Sequence, residues 1–119
     1  MARKMPNNSG KMLFLAVAVL IAAGPRTAGA AQSAADIYSE KCAACHGDTG
    51  KGDGPAGKAM TPPPAPFSTA LKNKSDSWIG TVITKGGPAV GMTPAMPPHP
   101  TLSDDQVKAL IQYIKGLES

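Results

Sequence analysis

The only two cysteines of this 119-residue chain stand three positions apart, at Cys42 and Cys45, and one of its two histidines, His46, follows at once. The five residues Cys42-Ala43-Ala44-Cys45-His46 constrain what the rest of the chain can be. A bare C-x-x-C has several readings. A redox-active dithiol normally sits beside a βαβ pattern, and the sequence has no convincing period-two strand. A structural zinc site wants four Cys or His ligands, and the one candidate left is His99, far away in a proline-rich segment. A disulfide between the two cysteines would close a very small loop. With histidine directly after the second cysteine the pattern is C-x-x-C-H, that of covalent haem attachment. The spacing has a physical reason. Two thiols three positions apart near a helix end reach the vinyl groups on one edge of a porphyrin, and the next imidazole is placed under the iron.

The N-terminal thirty residues read as a targeting segment. Arg3, Lys4 and Lys11 form a positive stretch, Met12 to Ala23 is an apolar run (MLFLAVAVLIAA), and Ala28-Gly29-Ala30 is a small-x-small cleavage site. The expectation is a signal peptide over residues 1–30, cleaved near Ala30, and one domain over residues 31–119 delivered to the periplasm. The apolar run is short for a membrane span. The alternative is an uncleaved anchor, which would tie the protein to the membrane. Cleavage removes four of the twelve basic residues (Arg3, Lys4, Lys11, Arg26) and none of the eight acids, so the net charge of +4 falls to zero. The basic charge therefore belongs to targeting and gives no argument for nucleic-acid binding.

What remains is small, poor in aromatics, and rich in glycine and proline. A domain of that size buries little core and needs a staple. A covalently held haem offers a large apolar plate to wrap around, which predicts a largely unfolded haem-free chain.

Three helices are legible. The first runs from Ser33 to about Ala44, capped by Ser33 with Asp36 three residues on, and delivers the cysteines. Gly47 to Phe67 reads as a loop, broken by glycines and by Pro62, Pro63, Pro64 and Pro66. The second helix spans Ser75 to Lys85 and stops at Gly86 or Gly87. Pro88 to Pro100 is a second irregular loop, holding Met92, Met96 and His99. The third helix spans Ser103 to Leu117. Ser103 and Gln106 have capping-box spacing, Asp104 and Asp105 lie at its positive end, and Val107, Leu110, Ile111, Ile114 and Leu117 form its stripe.

In this order, CAACHG with the following GKGDGP, then GMTPAMPP, then LSDDQVKALIQYIKGL, the chain resembles the class I c-type cytochromes over essentially its whole mature length. The resemblance implies an all-α, small cytochrome c-like fold: three or more helices wrapped around one covalently attached haem. It implies one haem c, tethered by Cys42 and Cys45 and bound axially by His46 and a methionine. It also implies that the first and last helices cross, with Tyr113 buried there against residues near Ala34 and Ile37. The first loop is longer and richer in proline than in the shortest members.

Met96 precedes Pro97-Pro98, and the resemblance carries the axial role onto the methionine of such a segment. Met92, after Gly91, stays open as the rival, and Met60 has no motif support. His99 reads as an exposed loop histidine near the haem edge. In the family a first-loop proline carbonyl accepts the other N–H of the proximal histidine. Pro64 is the choice here, with Pro62, Pro63, Pro66 and Pro55 competing. Trp78 either donates its indole N–H to a haem propionate or packs as a core aromatic. Lys51, Lys58, Lys72, Lys74 and Lys85 either ring an exposed haem edge or form a solvated face. The implied function is an exported carrier of single electrons between redox proteins, a monomer or a subunit of a redox complex, with no catalytic residue. One alternative is the haem subunit of a dehydrogenase or terminal oxidase. Another is a ligand-binding or peroxide-reducing haem protein.

Overall fold

The computed structural model describes residues 31–117, and Arg3 besides. The apolar run and the cleavage site of the targeting segment lie outside the described residues. Among the described residues there are six helices and no strand: α1 (Ala34–Lys41), α2 (Ala43–His46), α3 (Pro55–Lys58), α4 (Phe67–Ala70), α5 (Asp76–Lys85) and α6 (Asp104–Gly116), with a 3₁₀ turn at Gly87–Val90. None of them is long and apolar enough to cross a membrane.

The helix starts follow local chemistry. Ser33 Oγ accepts from the Asp36 N–H at 3.2 Å, and Ser75 Oγ from the Trp78 N–H at 3.1 Å. At α6 the capping box is complete: Ser103 Oγ accepts from Gln106 N–H at 3.2 Å, and Gln106 Oε1 accepts from Ser103 N–H at 2.9 Å.

The first helix departs from expectation. It is broken at Cys42, where φ is −120°, and resumes as the short α2. Both Cys45 and His46 donate to Cys42 O, at 3.2 and 2.9 Å, so the turn carrying the three reactive side chains is tightened there. The first loop is also less irregular than its composition suggests. Pro55 opens α3, a position where its fixed φ suits a helix and its missing N–H is not needed.

α1 packs across α6, and α6 lies along α5, where Gly80 lets Ile111 and Val107 approach. Ile37, Tyr38 and Leu110 are essentially fully buried at the centre, with Phe67, Ile79, Ile83, Val107, Ile111 and Ile114 around them. Tyr113 sits at the crossing of α1 and α6 as expected, but the fully buried ring there is Tyr38. Its ring meets Tyr113 at 5.3 Å and the edge of Phe67 at 6.3 Å, while Tyr113 itself is only half-buried. A buried phenol needs a partner, and Tyr38 has one within reach: its hydroxyl donates to Gly47 O at 2.6 Å. On the surface, Lys115 pairs with Asp76 at 2.8 Å.

Candidate functional site

α2, the first loop, α5 and the second loop enclose one apolar cavity of about 440 Å³, within the usual range for ligand pockets. Cys42, Cys45 and His46 contribute from the tightened turn, and Met60, Pro62, Pro63, Pro64 and Phe67 from the first loop and the start of α4. Trp78, Ile79, Val82 and Ile83 form the α5 wall, and Met92, Met96, Pro97 and His99 come from the second loop. The structure thus brings together every residue that sequence reasoning singled out for cofactor binding.

Both cysteines are free thiols. Cys42 is buried, and its pKa is pushed up to about 11, chiefly by desolvation, with Cys45 adding to the rise and Lys41 opposing it. It is therefore a neutral thiol at pH 7. The His46 ring stacks on Phe67, with centroids 4.8 Å apart and planes 27° from parallel. Burial lowers its pKa below the ordinary histidine value, so it is neutral at pH 7, the form that ligates metals.

The back of this turn is covered by main chain. A Cβ on Gly54 would overlap the carbonyls of Ala43 and Ala44, and one on Gly57 would overlap that of Cys45. Only glycine lets the first loop and α3 approach so closely.

Three expectations need correction or refinement. The hydrogen bond from His46 to Pro64 is not formed: His46 Nδ1 is buried with no partner, and the Pro64 carbonyl lies instead against Gly52. Pro64 still lines the cavity. His99 is half-buried rather than exposed, because its N–H donates to Ile83 O at 2.8 Å and ties it to the end of α5. Its pKa is lowered by burial first and then by the Lys41 charge. Trp78 packs on the core and lines the cavity at once, with Lys74 Nζ 4.5 Å from its ring centroid. Of the two methionines, Met96 is half-buried whereas Met92 is 46% exposed.

Sequence reasoning missed the stacking of Phe67 on His46. No spacing rule links a residue after a proline run to a histidine 21 positions earlier.

The donor set discriminates among ligands. Among the described residues no three His, Cys, Asp or Glu side chains form a metal-holding group. A buried polar atom normally has a partner. His46 Nδ1 has none in the protein alone, which suits an imidazole that serves a bound group. Two free thiols, an imidazole and thioethers around an apolar cavity fit a flat apolar macrocycle carrying a soft-ligated metal.

Comparison with known proteins bears on the same residues. The family model for cytochrome c matches residues 31–118. The CcoP subunit of a cbb3-type cytochrome c oxidase from Azospirillum brasilense is 31% identical over 90 residues, 76% of this chain but 29% of CcoP. This chain thus spans under a third of that relative's length. The solved structure of the KustC0563 c-type cytochrome superposes with a TM-score of 0.58 at 24% identity, covering 74% of this chain and all of that one. That likeness is one of fold.

Proposed function

The chain belongs to the cytochrome c family, and on that premise we propose that it is an exported monohaem carrier of single electrons with His46 and Met96 as axial ligands. As a family member it binds haem c covalently and acts in haem-based electron transfer. The observation that carries the finer reading is the convergence of Cys42, Cys45, His46 and Met96 on one apolar cavity.

The haem, when bound, supplies a ferric–ferrous couple whose potential a neutral thioether ligand raises. The protein's residues do the rest. Cys42 and Cys45 tether the group from the tightened turn. Phe67 fixes the plane of the His46 ring by stacking on it, and burial keeps that ring neutral. Ile79, Val82 and Ile83 keep water from the α5 side of the cavity. Met96 is preferred over Met92 because it is the better buried of the two. Pro97 and Pro98 stiffen the chain just after it. His46, stacked on Phe67, and Met96, followed by two prolines, would hold a bound haem iron with little change between its two oxidation states. Partners are redox proteins met in small, short-lived contacts.

A second reading, a haem subunit of a terminal oxidase, is favoured by the likeness to CcoP. Copurification of a stoichiometric second chain with the protein from its native membrane or periplasm separates the two.

The deciding experiment is the visible spectrum of the reduced, exported protein with and without carbon monoxide. A c-type spectrum unchanged by the gas is expected. A shifted spectrum would mean an open sixth position and a ligand-binding or catalytic haem. Export is tested by the mass of the mature chain, which should begin near Ala31. Retention of Met1 would mean a membrane anchor.

A further inference from the structure

The loop that presents Met92 and Met96 is seated on two glycines at the end of α5. Gly86 closes the helix with φ of 83°, its N–H donating to Val82 O. Gly87 is bonded to the loop twice. Its N–H donates to Met96 O at 3.0 Å, and its carbonyl accepts from the Met92 N–H at 3.0 Å. The same residue faces both methionine side chains. A Cβ placed on Gly87 would stand 3.1 Å from Met92 Cβ, 3.3 Å from Met96 Cβ and 2.8 Å from Thr93 O. A Cβ on Gly86 would lie 3.1 Å from Met96 O and 3.1 Å from Pro98 N. Further on, the His99 N–H on Ile83 O closes the loop against the same helix turn.

Gly87 does not lie in the left-handed region, unlike Gly86 and Gly91. What keeps it glycine is space. The nearest obstacle is a backbone carbonyl, which no rotamer change moves aside. An added methyl therefore has to displace the segment Thr93–Met96 as a whole. A ligand loop works only when its donor is held within about half an ångström of the productive position.

We propose that Gly87 is a positioning residue for the sixth iron ligand: its bare Cα sets how far from α5 the Met96 sulfur is presented to the cavity. The inference rests on the reading of Met96 as that ligand. Gly91 provides the contrast within the same loop. It has φ of 78° and nothing within 4 Å of a would-be Cβ. Alanine there strains the backbone without crowding Met96.

The test compares the haem-loaded wild type with Gly87→Ala, Gly91→Ala and Met96→Ala. The readouts are the ferric absorption band of thioether-bound iron and carbon monoxide uptake by the ferrous form. Gly87→Ala should lose most of the band and take up the gas, as Met96→Ala does, while Gly91→Ala keeps the band and excludes it. The proposal is overturned if Gly87→Ala behaves as wild type while Met96→Ala loses the band. It is equally overturned if Gly91→Ala loses the band as fully as Gly87→Ala. A Met96→Ala protein that kept the band would remove the ligand assignment itself, and the role of Gly87 with it. Amide hydrogen exchange covers the case in which Gly87→Ala does not accumulate. The Gly87 amide should be protected in the wild type and exchange faster in Met96→Ala. Exchange indifferent to Met96→Ala would overturn the proposal.

Discussion

Replacing Tyr38 by phenylalanine isolates one hydrogen bond at the centre of the molecule. Tyr38 is 1% exposed, and its hydroxyl reaches Gly47 O, the carbonyl next to His46, at 2.6 Å. Phenylalanine keeps the ring, so packing against Tyr113 and Phe67 is retained and no cavity larger than one oxygen is made. What is lost is the shorter of two hydrogen bonds to a buried carbonyl, since Gly47 is itself buried and its oxygen also accepts from the Gly50 N–H at 3.2 Å. Losing one such hydrogen bond costs about 0.5–1.5 kcal/mol. In a domain of this size each kcal/mol moves Tm by roughly 4–8 °C. Denaturation of the haem-loaded protein by guanidinium at pH 7 should show the lower midpoint at an unchanged slope. The reduction potential should stay where it was, because Tyr38 does not line the cavity. The pH dependence carries a sign. Burial, with Cys42, Tyr113, Asp48 and Asp53 pushing the same way, holds the Tyr38 phenol well above its usual value. A group raised on folding contributes fully below its unfolded pKa, about 10 for tyrosine, and loses that contribution as pH rises further. The gap between wild type and Tyr38→Phe should therefore be constant to about pH 10 and narrow above it. A stability difference under about 0.5 kcal/mol at pH 7 would refute the reasoning, because that is the range of substitutions that touch no buried feature. So would a gap that widens in alkali.

Other outcomes follow from the same structure. Met92→Ala should leave the reduction potential and carbon monoxide exclusion intact, whereas Met96→Ala should lower the potential and admit the gas. The reverse pattern on spectroelectrochemistry would reassign the ligand to Met92. Leu110→Ala removes a 1%-exposed side chain from the centre of α6 and should destabilise the haem-loaded protein by about 2–5 kcal/mol in denaturant titration. The chain prepared without haem should be largely unfolded by circular dichroism, because the cavity walls would then face water. A cooperative thermal transition of that apoprotein would refute this.

The parts of the fold that could be read from the sequence are those decided within a few residues. Ser103 and Gln106 make their capping box whatever lies around them, and the ends of α5 follow from Ser75 and Gly86. The cysteine–histidine turn was legible for the same reason, since its chemistry is written in five adjacent positions. Distant contacts decide the rest. Nothing near Cys42 in the chain announces the break in α1. Tyr38 and Tyr113 have similar surroundings in sequence, and only the crossing of α1 with α6 buries the first and leaves the second half out. Composition marked Gly47 to Phe67 as irregular, but the turn of α3 within it depends on Pro55 at its start and on the carbonyls it rests against. Pro64 lines the cavity, but its carbonyl lies against Gly52 and not His46, because a carbonyl's direction is set by the path of the whole loop. Gly87 differs from other glycines only in what stands opposite it.

Gly54 and Gly57 press main chain against main chain behind the cysteine–histidine turn, and no side chain lies between the two surfaces. Pro55, Ala56, Lys58 and Ala59 consequently all point outward. This divides the segment into two faces with separate duties. The outer face tolerates substitution residue by residue, since none of its side chains is buried. The inner face admits no such variation, since there a single methyl group is too much. Surface chemistry and the support of the cysteine–histidine turn can thus vary independently within one short stretch of chain.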